Sequence, residues 1–118
     1  MAEFVIKQGT TVPHLPGRLE DGNGAALDLS NASVMLRVTD PLFRTVVFEH
    51  PATVLVANPD DLTSDDQANV KYVWQPSDTA IPGIYWAEWL ITRTGNTDPE
   101  IVPGTGYMVI SITRVGGL

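Results

Sequence analysis

The 118-residue chain has no cysteine, which excludes a disulfide framework, a thiolate nucleophile and cysteine-ligated zinc, and leaves the redox state of its compartment unmarked. It has two histidines, His14 and His50, each beside a proline in a loop or at a strand end. They lack the close helical spacing of zinc proteases and have no evident nucleophile partner, so neither metal-dependent nor triad-type hydrolysis is expected. Basic residues are few, 7 against 14 acidic, for a net charge of −7. A field of that sign repels phosphate backbones, so direct nucleic-acid binding is not expected. No apolar run approaches the roughly 18 residues of a bilayer span, and the start, "MAEFVIKQGT", carries an acid and only three consecutive apolar residues, too few for a secretory core. A protein that is soluble as made, without a membrane partner, is expected.

What is present reads as a folded chain: 43% hydrophobic and 18% charged residues is globular composition, far from that of disorder. No segment sustains a 3.6-residue apolar period. Instead, short runs rich in Val, Ile, Tyr and Trp lie between clusters of Gly, Pro, Asn and Asp, an all-β pattern. Strands are expected near residues 3 to 8, 15 to 20, 33 to 39, 45 to 49 with 53 to 56, 69 to 75, 83 to 93, 98 to 102 and 106 to 114. Seven or eight strands at this spacing predict an antiparallel β-sandwich, with one domain over residues 1 to 118 and a short flexible tail, "RVGGL". Asp21-Gly22 and Asn23-Gly24 supply the backbone freedom of a tight corner.

All three tryptophans fall in "WQPSDTAIPGIYWAEW", residues 74 to 89. Over 83 to 93 the two-residue side-chain period puts Tyr85, Ala87, Trp89 and Ile91 on one face, and Ile84, Trp86, Glu88, Leu90 and Thr92 on the other. The first set is wholly apolar and is assigned to the core. Glu88 would be costly to bury unpaired and marks the outer face, leaving Trp86 and Leu90 as candidate protein contacts or as groups shielded by a neighbouring loop. Tyr72 and Trp74, alternating with Lys71 and Val73, are expected in the core.

The segments "EFVIKQGTTVPHLPGRLEDGNGAALDLSNASVMLRV", "NVKYVWQPSDTAIPGIYWAEW" and "VPGTGYMVISI" together resemble a family of small bacteriophage proteins related to the N-terminal domain of baseplate upper proteins. The likeness covers roughly residues 3 to 112 and rests most on "IKQGTT", "LDLSNASV" and the set Val70, Tyr72, Trp74, Asp78, Thr79, Gly83, Tyr85 and Glu88. It implies an immunoglobulin-like sandwich in a virion structural component. Two departures stand out: Trp86 and Leu90 occupy positions usually polar in that family, and "RTGNTDPEIVPGTG" replaces its usual glycine turn.

In "NPDDLTSDDQAN", Asp60, Asp61, Asp65 and Asp66 could gather around calcium, but counting from Asp61 puts Asp66 where an EF-hand needs Gly and Tyr72 where it needs Glu, so a solvated turn is expected. Glycoside cleavage depends on the separation of two carboxylates in space, and the chain is small for a sugar cleft. Trp86 beside Glu88 and Thr92 would suit sugar stacking without cleavage, and a carbohydrate-binding or adhesion module is therefore the alternative. The sequon Asn31-Ala32-Ser33 matters only in a secretory compartment.

The sequence thus leads to a non-enzymatic structural protein without cofactor or metal. It is expected to be made in the bacterial cytoplasm, incorporated in the virion, and docked in many symmetric copies on other virion proteins of the tail, baseplate or capsid surface, where a decoration protein would sit. Candidate contacts are Trp86, Glu88 and Leu90; Glu3 and Phe4, which could add a strand to a neighbour's sheet; and Asn96, Asp98 and Glu100 in the loop from 94 to 105.

Overall fold

A computed structural model describes residues 3–64, 67–102 and 107–115. Its strands are β1 (Glu3–Lys7), β2 (Leu15–Gly17), β3 (Ala32–Asp40), β4 (Thr45–Pro51), β5 (Thr53–Val54), β6 (Val70–Tyr72), β7 (Gly83–Arg93), β8 (Glu100–Val102) and β9 (Met108–Thr113). One sheet runs β1-β9-β7-β3-β4, with β8 also on β7; the other runs β2-β6-β5. These orders are those of strands A′-G-F-C-C′ and B-E-D in immunoglobulin-like domains, and the fold is an immunoglobulin-like β-sandwich. The described residues hold nine short strands, and one pairing departs from the antiparallel expectation: β1 runs parallel to β9.

The long β7 organises the larger sheet because its alternation matches what surrounds it. Its inward residues Tyr85, Ala87, Trp89 and Ile91 join Val34, Leu36 and Val38 of β3 and Ile110 and Ile112 of β9 in the core. The small sheet answers with Leu15, Val70 and Tyr72, and Trp74 follows β6 inward. Tyr85 also fastens the start of β7 by donating its hydroxyl proton to the Ile81 carbonyl at 2.9 Å, the tyrosine-corner arrangement of this fold. Burial, with the nearby Asp40 charge second, raises the Tyr85 pKa.

The two sheets approach so closely at Gly17 that a Cβ there would lie 2.7 Å from Trp89 Cζ2 and 2.9 Å from Val70 Cγ2. Only glycine leaves room for the indole. Nearby, the fully buried Asn69 takes the place of a missing ladder. Its Oδ1 accepts from Leu19 N at 2.8 Å and its Nδ2 donates to Leu19 O at 3.1 Å. The corner at 21 to 25 forms as expected, with Asp21 Oδ1 accepting from Asn23 N and Ala25 N.

β8 and β9 occupy one side of β7 in succession. Trp89 pairs with Val102 and Ala87 with Met108, so only Glu88 separates the two registers on β7 while five residues separate them on the returning chain. This is the structural form of the departure noted at "RTGNTDPEIVPGTG". The interruption brings Tyr107 to the outer face beside Trp86.

Candidate protein-contact surface

The cross-strand registers order the outer face of the larger sheet into rows. Val5, Ser111 and Ile84 form one row; Glu3, Val109, Trp86, Thr39 and Val46 form the next. Val5 and Ile84 are 54% and 53% exposed, and Val46 is also exposed. Small polar side chains therefore alternate with branched apolar ones that face solvent. The following row is charged: Arg37 lies between Glu88 and Glu49, and its Nε is 3.1 Å from Glu49 Oε2. Such a partly exposed pair adds little stability, but it borders the apolar rows with charged side chains.

Trp86 is partly covered. The Tyr107 ring stacks on the indole with centroids 4.0 Å apart and planes 23° from parallel, so one aromatic face is occupied within the chain. Leu90 requires a correction: it is only 4% exposed and is not available as a contact. In the outer row it stands between Met35 on β3 and Ile101 on β8, and such cross-strand apolar neighbours shield a central side chain in a way its own strand cannot reveal.

Glu3 is exposed at the start of edge strand β1. Phe4 is a second correction, because it faces inward, packs on the core and stacks on Trp74 with centroids 5.9 Å apart. Asn96 and Asp98 lie exposed in the turn between β7 and β8. Glu100 belongs to β8 and is tied by Arg93 Nε at 3.0 Å, and Arg93 also donates to the Asp28 carbonyl at 2.7 Å. The loop's remaining residues, 103 to 105, lie outside the described residues, as do Met1, Ala2 and the tail residues 116 to 118.

The structure places His50 in a cluster the sequence did not suggest. The Tyr72 hydroxyl donates to Asp78 Oδ2, and Asp78 Oδ2 also accepts from Gln75 N at 2.9 Å. His50 Nδ1 stands 2.9 Å from the Tyr72 oxygen and 3.3 Å from Asp78 Oδ1. With the phenol proton committed to Asp78, Nδ1 is the donor toward both oxygens. Burial, reinforced by the Asp78 carboxylate, pushes the Tyr72 pKa far above that of a free phenol. Phe48 stacks on both His50 and Tyr72. Tyr72 and the Asp78 side chain are almost wholly buried, and only His50 keeps a third of its side chain in solvent. The cluster thus clasps edge strand β4 to the turn after β6.

Of the acidic loop, Asp60 and Asp61 lie in a short 3-10 turn capped by Asn58; Asp65 and Asp66 are outside the described residues. Among the described residues no group of three or more His, Asp or Glu is arranged to hold a metal ion. No helix among them is long and apolar enough to cross a membrane.

Sequence reasoning placed strands at 33 to 39 and 45 to 49, which are β3 and β4, but missed the exposed apolar tip of the hairpin they form. Leu42 and Phe43 at its tip are 80% and 71% exposed, and Val47 beside them is the extra residue of a bulge opposite Val38 and Thr39. The signal was an apolar pair inside the turn "DPLFRT", where polar residues are usual. Comparison with protein-family models, with curated proteins and with solved structures gives no match.

Proposed function

We propose that this chain is a non-enzymatic structural module of a tailed-bacteriophage particle, made in the bacterial cytoplasm and docked on other virion proteins of the tail, baseplate or capsid surface. The observation that carries the docking part is the pair of outer rows in which the exposed Val5, Ile84 and Val46 accompany the half-buried Val109 and Trp86. Apolar side chains gathered on one outer face and rimmed by polar ones are the kind of surface on which folded domains make contacts. The virion part is supported by the sequence resemblance described above. The charged row of Arg37, Glu88 and Glu49 would form a polar rim, as interfaces commonly have.

The carbohydrate-binding reading is weaker, because Tyr107 already occupies one face of Trp86, the aromatic surface on which it depended. Docking is tested by incorporation. Ile84→Asp alters a half-exposed side chain without touching the core, and it is expected to lower the copy number of the chain in purified particles at least tenfold relative to wild type, with an unchanged melting temperature. Full incorporation of the variant would remove these rows as a docking face.

A further inference from the structure

The hairpin tip and a cleft on the opposite edge of the same sheet are complementary. The tip is held in shape: Asp40 Oδ1 accepts from Leu42 N at 2.9 Å, and Arg44 closes the turn with a positive φ of 54°. Phe43 is therefore displayed on a braced turn, so fixing it in an interface costs less entropy than fixing a free loop would. Beside it, the exposed Arg44 makes no ion pair among the described residues.

At the other edge, where β1 and β9 face β2, lies a cleft of about 210 Å³ walled by Phe4, Leu15, Pro16, Met108 and Val109, with the exposed Glu3 among its walls. An apolar cavity of about 150 Å³ accepts a benzene ring, so a phenyl side chain fits. Its carboxylate, Glu3, also makes no ion pair among the described residues, and the cationic Arg44 accompanies the ring that would enter. β4 and β1 are the two ends of the sheet order. At about 4.8 Å per strand they stand roughly 19 Å apart, so a chain cannot fill its own cleft with its own tip.

We infer that the occupant of the cleft is the Leu42–Phe43 tip of a second copy of this chain, with Arg44 of one copy paired to Glu3 of the next. The contact is heterologous: each added copy leaves one tip and one cleft free, so the chain builds rings or head-to-tail rows. The inference goes beyond the docking reading and does not rest on it: of the outer rows only the Glu3 and Val109 end borders the cleft, and Val5, Ile84, Trp86 and Val46 take no part.

The test is sedimentation of the full chain over about 10 µM to 1 mM, a range suited to a small contact. Wild type is expected to form concentration-dependent dimers and larger species. Phe43→Glu (tip lost) and Pro16→Glu (cleft blocked) should each raise the dissociation constant roughly thirtyfold or more. Their equimolar mixture should restore a dimer, and only a dimer, since one intact tip and one intact cleft are left. A second pair guards against a misfolded variant: Glu3→Arg and Arg44→Glu should each weaken association and, mixed, recover it. Monomeric wild type throughout the range, an unaffected Phe43→Glu, or a mixture that stays monomeric would each overturn the inference.

Discussion

Replacing Gly17 by alanine tests the packing of the two sheets at a single atom. The new Cβ would sit 2.7 Å from Cζ2 and 2.9 Å from Cε2 of Trp89, and 2.9 Å from Val70 Cγ2. Ordinary carbon contacts are about 3.5 to 4.0 Å, so the indole or β2 has to move by close to 1 Å. Trp89 and Val70 are both buried, and close-packed interiors accommodate such a shift poorly. Overpacking of this kind costs about 1 to 3 kcal/mol. The loss of chain entropy in the unfolded state returns about 0.4 to 1 kcal/mol, leaving a net destabilisation of at most about 2.6 kcal/mol and about 1.3 kcal/mol at mid-range, which lowers the melting temperature by roughly 4 to 8 °C. Urea titration followed by tryptophan fluorescence should show a lower midpoint at unchanged slope. The same substitution in a Trp89→Phe background should cost less, because the smaller ring vacates the contested space. A neutral or stabilising Gly17→Ala would mean the sheets do not meet there.

Other perturbations follow from the buried polar groups and the surface. Because Tyr72 has a raised pKa in the folded chain, its stabilising contribution is intact below the ordinary phenol value of about 10 and is lost as pH rises beyond it, by up to about 1.4 kcal/mol per pH unit while only the unfolded state ionises. Tyr72→Phe should flatten that alkaline decline in a stability-versus-pH series, and an undiminished decline would refute the assignment. Asn69→Ala should cost about 1 to 3 kcal/mol in chemical denaturation, since it strands the N–H of buried Leu19, whose C=O still accepts from Leu27 N at 2.9 Å; a loss below about 0.5 kcal/mol would mean water replaces the amide. Arg37→Ala, by contrast, should change stability by less than about 1 kcal/mol, because its partner Glu49 is exposed, and a larger loss would show that the charged row carries folding energy.

Much of the fold could be read from the alternation of one strand. The period of two over 83 to 93 located Tyr85, Ala87, Trp89 and Ile91 in the core, because a contiguous apolar face has only one stable place in a sandwich. The same rule failed for Leu90, whose burial comes from Met35 and Ile101 on adjacent strands, neighbours fixed by register and invisible along the chain. Phe4 illustrates the same limit: it alternates with exposed Glu3 and Val5, but its inward contact with Trp74 depends on the parallel pairing of β1 with β9, which brings together opposite ends of the sequence. The His50, Tyr72 and Asp78 cluster escaped notice for that reason too, since it joins an edge strand to a turn two strands later.

The composition of the outer face was legible only in part. Trp86 and Glu88 lie on the outer face as read, but the exposed apolar groups around them come from β1, β4 and β9. The hairpin tip at Leu42 and Phe43 is visible in the sequence as an apolar pair inside a turn, whereas the cleft proposed to receive it is walled by residues that only the fold brings together.

The proposal requires that a phage encode this chain, and electron microscopy of that phage's purified particles puts the docking part to its most direct test. The outer rows of Val5, Ile84 and Val46 should be covered by a different virion protein at every site the sandwich occupies. Particles that lack the chain, or that hold it by the small sheet with those rows facing solvent, would contradict the account.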